Sequence, residues 1–155
     1  MKKTKEIKIC NPDINEIRAI RNKILYESLP KSFSNYLEDK MDSTKHFGLK
    51  VNSKIISIAT LNQKSLYLYP NEKALQIRGM ATLKDFQKKG YGSLLIENII
   101  RILKKEKKID LIWCNARIKI MDFYTKKLFT PIGDIFDIKS IGPHKSLYYR
   151  IKNDK

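Results

Sequence analysis

The feature that most constrains this chain is a change of period between residues 74 and 103. Ala74 to Thr82 reads as a strand. Gln87-Lys-Lys-Gly-Tyr-Gly92 then sets two glycines just ahead of a strongly periodic helix, with Leu94, Leu95, Ile99, Ile102 and Leu103 apolar. Strand, glycine loop and helix in direct succession point to α/β architecture. The first turn of such a helix exposes unpaired N–H groups and the positive end of the helix dipole. Gly90 and Gly92 let the backbone turn sharply and approach a ligand with no Cβ in the way. Lys88 and Lys89 add positive charge. Together they predict a pocket for phosphate or pyrophosphate. A tight turn with no ligand is the competing reading. The Walker A pattern is absent, and the dinucleotide fingerprint fails because Leu95 stands where its third glycine belongs.

The remaining pattern supplies the frame. Lys5 to Cys10 alternates as a strand, and Asn11-Pro12-Asp13 starts a helix carrying Ile14, Ile17, Ile20, Ile24 and Leu25 to about Ser28. Pro30 breaks it, and Phe33, Tyr36 and Leu37 suggest a short second helix ending near Lys40. His46–Val51 and Lys54–Leu61 read as a hairpin turning at Asn52-Ser53. Ile109 to Cys114 is a short, mostly apolar strand, Arg117 to Lys127 a helix, and Ile132–Ile138 and Lys145–Ile151 the last two strands. No linker or repeat interrupts the order, so one α/β domain over residues 1–155 is expected, with a mixed sheet.

Composition limits the partners. With 155 residues, 42% apolar and 10% aromatic, the chain is long and apolar enough for one core. No apolar run reaches membrane-spanning length, and Glu6 and Lys8 interrupt what would be a signal peptide. The expected compartment is the cytoplasm, with no membrane partner. Cys10 and Cys114 are too few for a disulfide framework, and with only His46 and His144 no zinc spacing appears, so no metal is expected. The net charge is +16, but lysine dominates arginine and is scattered along the chain. That favours a solvated lysine surface over a nucleic-acid interface, which stays the second reading.

The segment resembles the GNAT superfamily of N-acetyltransferases. Gln87-Lys-Lys-Gly-Tyr-Gly92 matches every fixed position of that family's [RQ]-x-x-G-x-[GA] loop. The likeness extends to Met80-Ala81-Thr82 upstream and to Trp113-Cys-Asn115-Ala-Arg, Phe123-Tyr124, Gly133–Asp137 and Ile141-Gly-Pro-His144 downstream. It implies a mixed, mostly antiparallel sheet of about six to seven strands flanked by about four helices. It also implies a central wedge where the strands ending at Thr82 and near Cys114 splay apart to admit acetyl-CoA. Gln87, Lys88, Lys89, Gly90, Tyr91, Gly92 and Ser93 would hold the pyrophosphate. Met80, Ala81 and Thr82 would offer backbone groups to the pantetheine arm, and Asn115 would bond the cofactor near the thioester; a helix-cap role is the alternative for Asn115. Tyr124 would be the catalytic acid, protonating the leaving thiolate, whereas a core aromatic is its plainer role. Glu72, Asp137 and His144 are conceivable bases, and Arg78 and Arg117 conceivable anchors for an acidic acceptor.

The resemblance implies direct acetyl transfer to a primary amine of a small molecule or protein, with a homodimer as the default assembly. A non-catalytic module holding CoA or a polyanion on the same fold is the alternative. Two departures stand out: Gln for the commoner Arg at position 87, and Lys127-Leu128-Phe129 where the family has Leu-Gly-Phe. The second removes the easy left-handed helix stop.

Overall fold

The computed structural model describes residues 4–152. Its strands are β1 (Ile7–Cys10), β2 (Lys45–Val51), β3 (Lys54–Gln63), β4 (Ala74–Thr82), β5 (Leu111–Arg117), β6 (Thr130–Ile138) and β7 (Gly142–Arg150). Its α-helices are α1 (Ile14–Ile24), α2 (Tyr91–Glu106) and α3 (Met121–Thr125). The strands form one mixed sheet in the order β1-β2-β3-β4-β5-β7-β6. Pairing is antiparallel for β1–β2, β2–β3, β5–β7 and β6–β7, and parallel for β4–β5. The parallel pairing joins Ala74–Ile77 to Leu111–Cys114, whereas β4 runs on to Thr82 and β5 to Arg117.

The helix count departs from the expected four. Phe33 to Lys40 does not form an α-helix; the region holds two 3-10 turns, Lys31–Ser34 and Leu37–Lys40, separated by the extended Asn35. Asn35 and Tyr36 take extended backbone, and Asp39 Oδ2 accepts from Tyr36 N–H at 3.1 Å, so the chain starts a second turn there instead of continuing the first. The Arg117–Lys127 helix also shrinks. Pairing with β7 keeps the chain extended through Arg117↔His144, so α3 starts only at Met121. Asp13 caps α1 by accepting from Glu16 N–H at 3.0 Å, which leaves Pro12 outside the first turn.

The chain folds as two compact units. The first joins the residues up to Asn62 with Gly79–Ile99. There the apolar stripe of α1 (Ile14, Ile17, Ile20, Ile24) packs with Ile58 and Ala81. The second joins Gln63–Arg78 with the residues from Ile100 onward. Leu66, Ala74, Leu111 and Trp113 form its core, flanked by Tyr69, Ile132 and Tyr148, and Trp113 Nε1 donates to Lys64 O at 2.9 Å.

Candidate active site

In the first unit the glycine loop has the geometry its sequence implies. Gly90 holds φ 85°, and Lys88 takes the same left-handed region at φ 61°. Leu94 N–H donates to Gly90 O at 3.0 Å, so Gly90 caps the helix while carrying no side chain to bind its first turn. The early N–H groups of α2, from Tyr91, Gly92 and Ser93, are therefore not claimed by a cap side chain. A Cβ on Gly90 would meet nothing within 4 Å. Glycine is needed there for its φ, and the ground in front of the loop is open. Lys88 and Lys89 are exposed beside it. Gly92 lies inside the helix and needs no unusual φ.

Gln87 does something the motif does not announce. Its Nε2 donates to Thr82 O at 2.9 Å, which ties the loop back to the end of β4. Thr82 Oγ1 in turn shares a hydrogen bond with Ser57 Oγ at 2.8 Å, and Leu83 N–H donates to Ile56 O. By strand alternation, the amides of Met80 and Thr82 face the other edge of β4. Ala81 is buried in the first unit's core, so only its backbone is available to a ligand.

The second unit places Asn115 and Tyr124. Asn115 lies within β5, paired with Ser146, so it is not a helix cap. Its Oδ1 accepts from Ser146 Oγ at 2.6 Å. That leaves its amide nitrogen as the donor the side chain can offer elsewhere. Tyr124 is buried on α3. Its ring meets Phe123 and Phe129 edge-on at 5.0 and 5.3 Å. Burial raises its phenol well above the ordinary range, and a hydrogen bond with Cys114 adds to this. Burial likewise pushes the Cys114 thiol far up. Both groups stay protonated at any working pH. Cys114 and Ser146 were missed in the sequence: one read only as part of a buried strand, the other sits in a strand with no motif.

Two of the three suggested bases have structural partners. Glu72 Oε1 accepts from Arg150 at 2.7 Å. His144 is buried; its Nδ1 lies 2.7 Å from Gly142 O and must donate to that carbonyl, and the ring stacks on Phe136. Asp137 is exposed on β6.

The missing glycine after α3 has a visible consequence. Leu128 itself adopts φ 69°, and Phe129 N–H reaches back to Tyr124 O at 3.1 Å. The left-handed stop forms with a leucine whose side chain is 79% exposed. A left-handed L-residue carries roughly 1–2 kcal/mol of strain. Leu128→Gly removes the strain and little burial, while loosening the unfolded chain. A stability gain of up to about 1 kcal/mol is expected in denaturant titration.

Comparisons with known proteins fit this arrangement. The model of the Acetyltransferase (GNAT) family matches residues 14–128. The uncharacterized N-acetyltransferase YitI of Bacillus subtilis (strain 168) is 30% identical over 142 residues, covering 92% of this chain and 95% of that protein. A putative N-acetyltransferase from Lactobacillus plantarum superposes with a TM-score of 0.78 at 12% identity, over 97% of this chain and all of that one. An aminoglycoside 6'-N-acetyltransferase complexed with coenzyme A superposes with a TM-score of 0.75 at 9% identity, over 96% of this chain and 99% of that one. These two likenesses speak for the fold alone. Among the described residues no helix is long and apolar enough to cross a membrane.

Proposed function

The chain belongs to the GNAT acetyltransferase family and is an N-acetyltransferase; from that premise we propose that it transfers acetyl from acetyl-CoA directly to a primary amine, with Tyr124 as the acid. The observation that carries the cofactor half is Gly90, a cap with no side chain and with open ground before it, at the start of a 16-residue helix. The N–H groups of Tyr91, Gly92 and Ser93 would take the pyrophosphate, with Lys88 and Lys89 supplying charge. Gln87 would act by holding the loop against Thr82 rather than by touching phosphate. Met80 and Thr82 would meet the pantetheine arm through backbone groups, with Ala81 as spacer. Asn115 would donate its amide N–H toward the thioester end.

The chemistry asks little more. The acceptor reaches the site as an ammonium ion, loses one proton, and attacks the thioester carbonyl as the free amine. The new carbon–nitrogen bond leaves the nitrogen with a second proton to shed. As the carbon–sulfur bond breaks, the departing sulfur takes a proton from the Tyr124 phenol, and the proton shed by nitrogen restores the phenol, directly or through solvent. The acceptor is the primary amine of a small molecule or a protein, and the site works in the cytoplasm.

Thermal unfolding with acetyl-CoA, against ATP and NAD at two salt concentrations, tests the reading. A ligand at 100 times its Kd adds about 2.7 kcal/mol. For a chain of this size that raises Tm by roughly 5–10 °C. A salt-tolerant shift with acetyl-CoA and CoA, but not the controls, is expected, followed by turnover on an amine panel. Equal shifts with every polyphosphate that vanish in salt would overturn it in favour of a polyanion-binding module.

A further inference from the structure

The second unit holds a concavity of about 720 Å³ that the acetyl-transfer reading does not use. Lys64, Lys73, Lys107, Lys108 and Lys152 line it around Asn71. It shares no residue with the glycine loop. The five lysines come from four separate stretches of chain, so no single helix face or charge run explains their meeting.

The backbone that carries them is anchored. Asp110 N–H donates to Lys73 O, and Lys73 N–H donates to Asp110 Oδ2, each at 2.8 Å. The amides of Ile151 and Lys152 both donate to Asp110 O. Lys64 O is held by the Trp113 indole. Lys107 turns the chain out of α2 at φ 60°, a conformation L side chains rarely adopt.

Among the described residues the charge is not balanced locally. Glu72 also lines the concavity, but its carboxylate is engaged by Arg150. Asp110 takes the Lys73 N–H and lies 3.4 Å from Lys152 Nζ. Among the described residues no carboxylate lies within ion-pair distance of the Lys64, Lys107 or Lys108 ammonium. The negative end of α2 accounts for Lys107 and Lys108 being near it. It does not account for Lys64 and Lys73, which arrive from other segments.

We propose that this concavity is a binding site for a small polyphosphate anion, separate from the acetyl-CoA loop. The size falls in the range of small-molecule sites, about 300–1,000 Å³. Lysines are flexible point charges suited to phosphate oxygens, without the planar fork that reads a base edge. None of the residues lining the concavity is aromatic, so no base would stack there. Recognition is therefore by phosphate charge, and a nucleoside attached to the phosphates would add little.

The test is calorimetric titration of tripolyphosphate into the full chain saturated with CoA. One tripolyphosphate per chain is expected to bind. Lys64→Gln/Lys107→Gln/Lys108→Gln should weaken it by roughly tenfold or more, since each lost ammonium removes a short-range contact. Lys23→Gln/Lys31→Gln/Lys40→Gln removes the same charge from exposed positions of the first unit. It should leave Kd within about twofold, because remote exposed charges are screened. Equal weakening in the two variants would reduce the effect to net charge and overturn the site. So would abolition by CoA, which would place the anion at the loop, or absence of binding to the wild-type chain. A DNA duplex that binds more tightly than tripolyphosphate and is lost with the same three lysines would reassign the surface to nucleic-acid phosphates.

Discussion

Tyr124→Phe is expected to keep acetyl-CoA binding and to lower kcat by roughly 10²–10⁴-fold, the usual worth of a positioned acid. The substitution removes one oxygen from a ring that packs on Phe123 and Phe129, so those edge-on contacts survive. Cys114 loses the hydrogen bond it makes with the phenol, and a thiol tolerates that well because sulfur is a weak donor and acceptor. The Tm should therefore move little while turnover collapses. A buried tyrosine with only a packing role would leave kcat and Tm both nearly unchanged, because the ring contacts survive. The pH profile adds a second check. Burial raises the phenol, so Tyr124 stays protonated through the alkaline range. Any rise of rate with pH then reports loss of a proton by the acceptor or its base. No alkaline fall should come from Tyr124 until well above the ordinary tyrosine range. A wild-type alkaline limb below that range, absent in Tyr124→Phe, would mean that the phenol titrates there and is not shielded as its burial requires.

What could be read in advance was whatever local patterning controls. The strand Ala74–Thr82 lies where its residues suggested, and the loop before α2 has the left-handed Gly90. Both depend on short-range chemistry: alternation, and the freedom of a residue without Cβ. Phe33, Tyr36 and Leu37 have helical spacing, but the backbone is extended at Asn35 and Tyr36, where the Asp39 carboxylate holds the Tyr36 N–H, so two 3-10 turns form in place of the expected helix. Asn115 was ambiguous for a different reason. A cap and a strand end look alike until the partner strand is known, and pairing with Ser146 decides it. Leu128 shows the converse, since a stop that looked lost is formed by a leucine held in the left-handed region. Cys114 and Arg21 could not be singled out at all. Their roles depend on residues 10 to 39 positions away, and nothing in the periodicity of α1 separates Arg21 from Arg18.

Arg21 carries the second large expectation: Asp39→Ala should destabilise the chain by about 3–5 kcal/mol, the cost of leaving a buried charge unpaired. The guanidinium is wholly buried in the first unit. Its two terminal nitrogens donate to Asp39 at 2.7 and 2.8 Å, to Ser34 O at 3.0 Å and to Thr60 Oγ1 at 2.7 Å. Its carbon lies 3.8 Å from the centre of the Tyr36 ring. Asp39 also accepts from Tyr36 N–H and from Arg18, so the carboxylate locks the 3-10 turn Leu37–Lys40 onto α1. The space is taken: a Cβ on Gly79, itself at φ 60° in β4, would come within 2.8 Å of Arg21 Nε. For this size of chain the loss lowers Tm by roughly 6–20 °C. Arg21→Met/Asp39→Leu removes both charges and should be less harmful than Asp39→Ala alone, because the penalty lies in the orphaned cation rather than in the absent pair. Acid reports the same bond. Burial works to raise the Asp39 carboxyl, but its bonds with Arg21 prevail and hold it below the ordinary carboxylate range. Its contribution is complete above the unfolded value of about 3.9 and is lost as pH falls through the lower folded value. The wild-type chain should lose stability across that interval more steeply than Asp39→Ala. Parallel pH–stability curves for the two would show that the Arg21–Asp39 pair contributes no net stability.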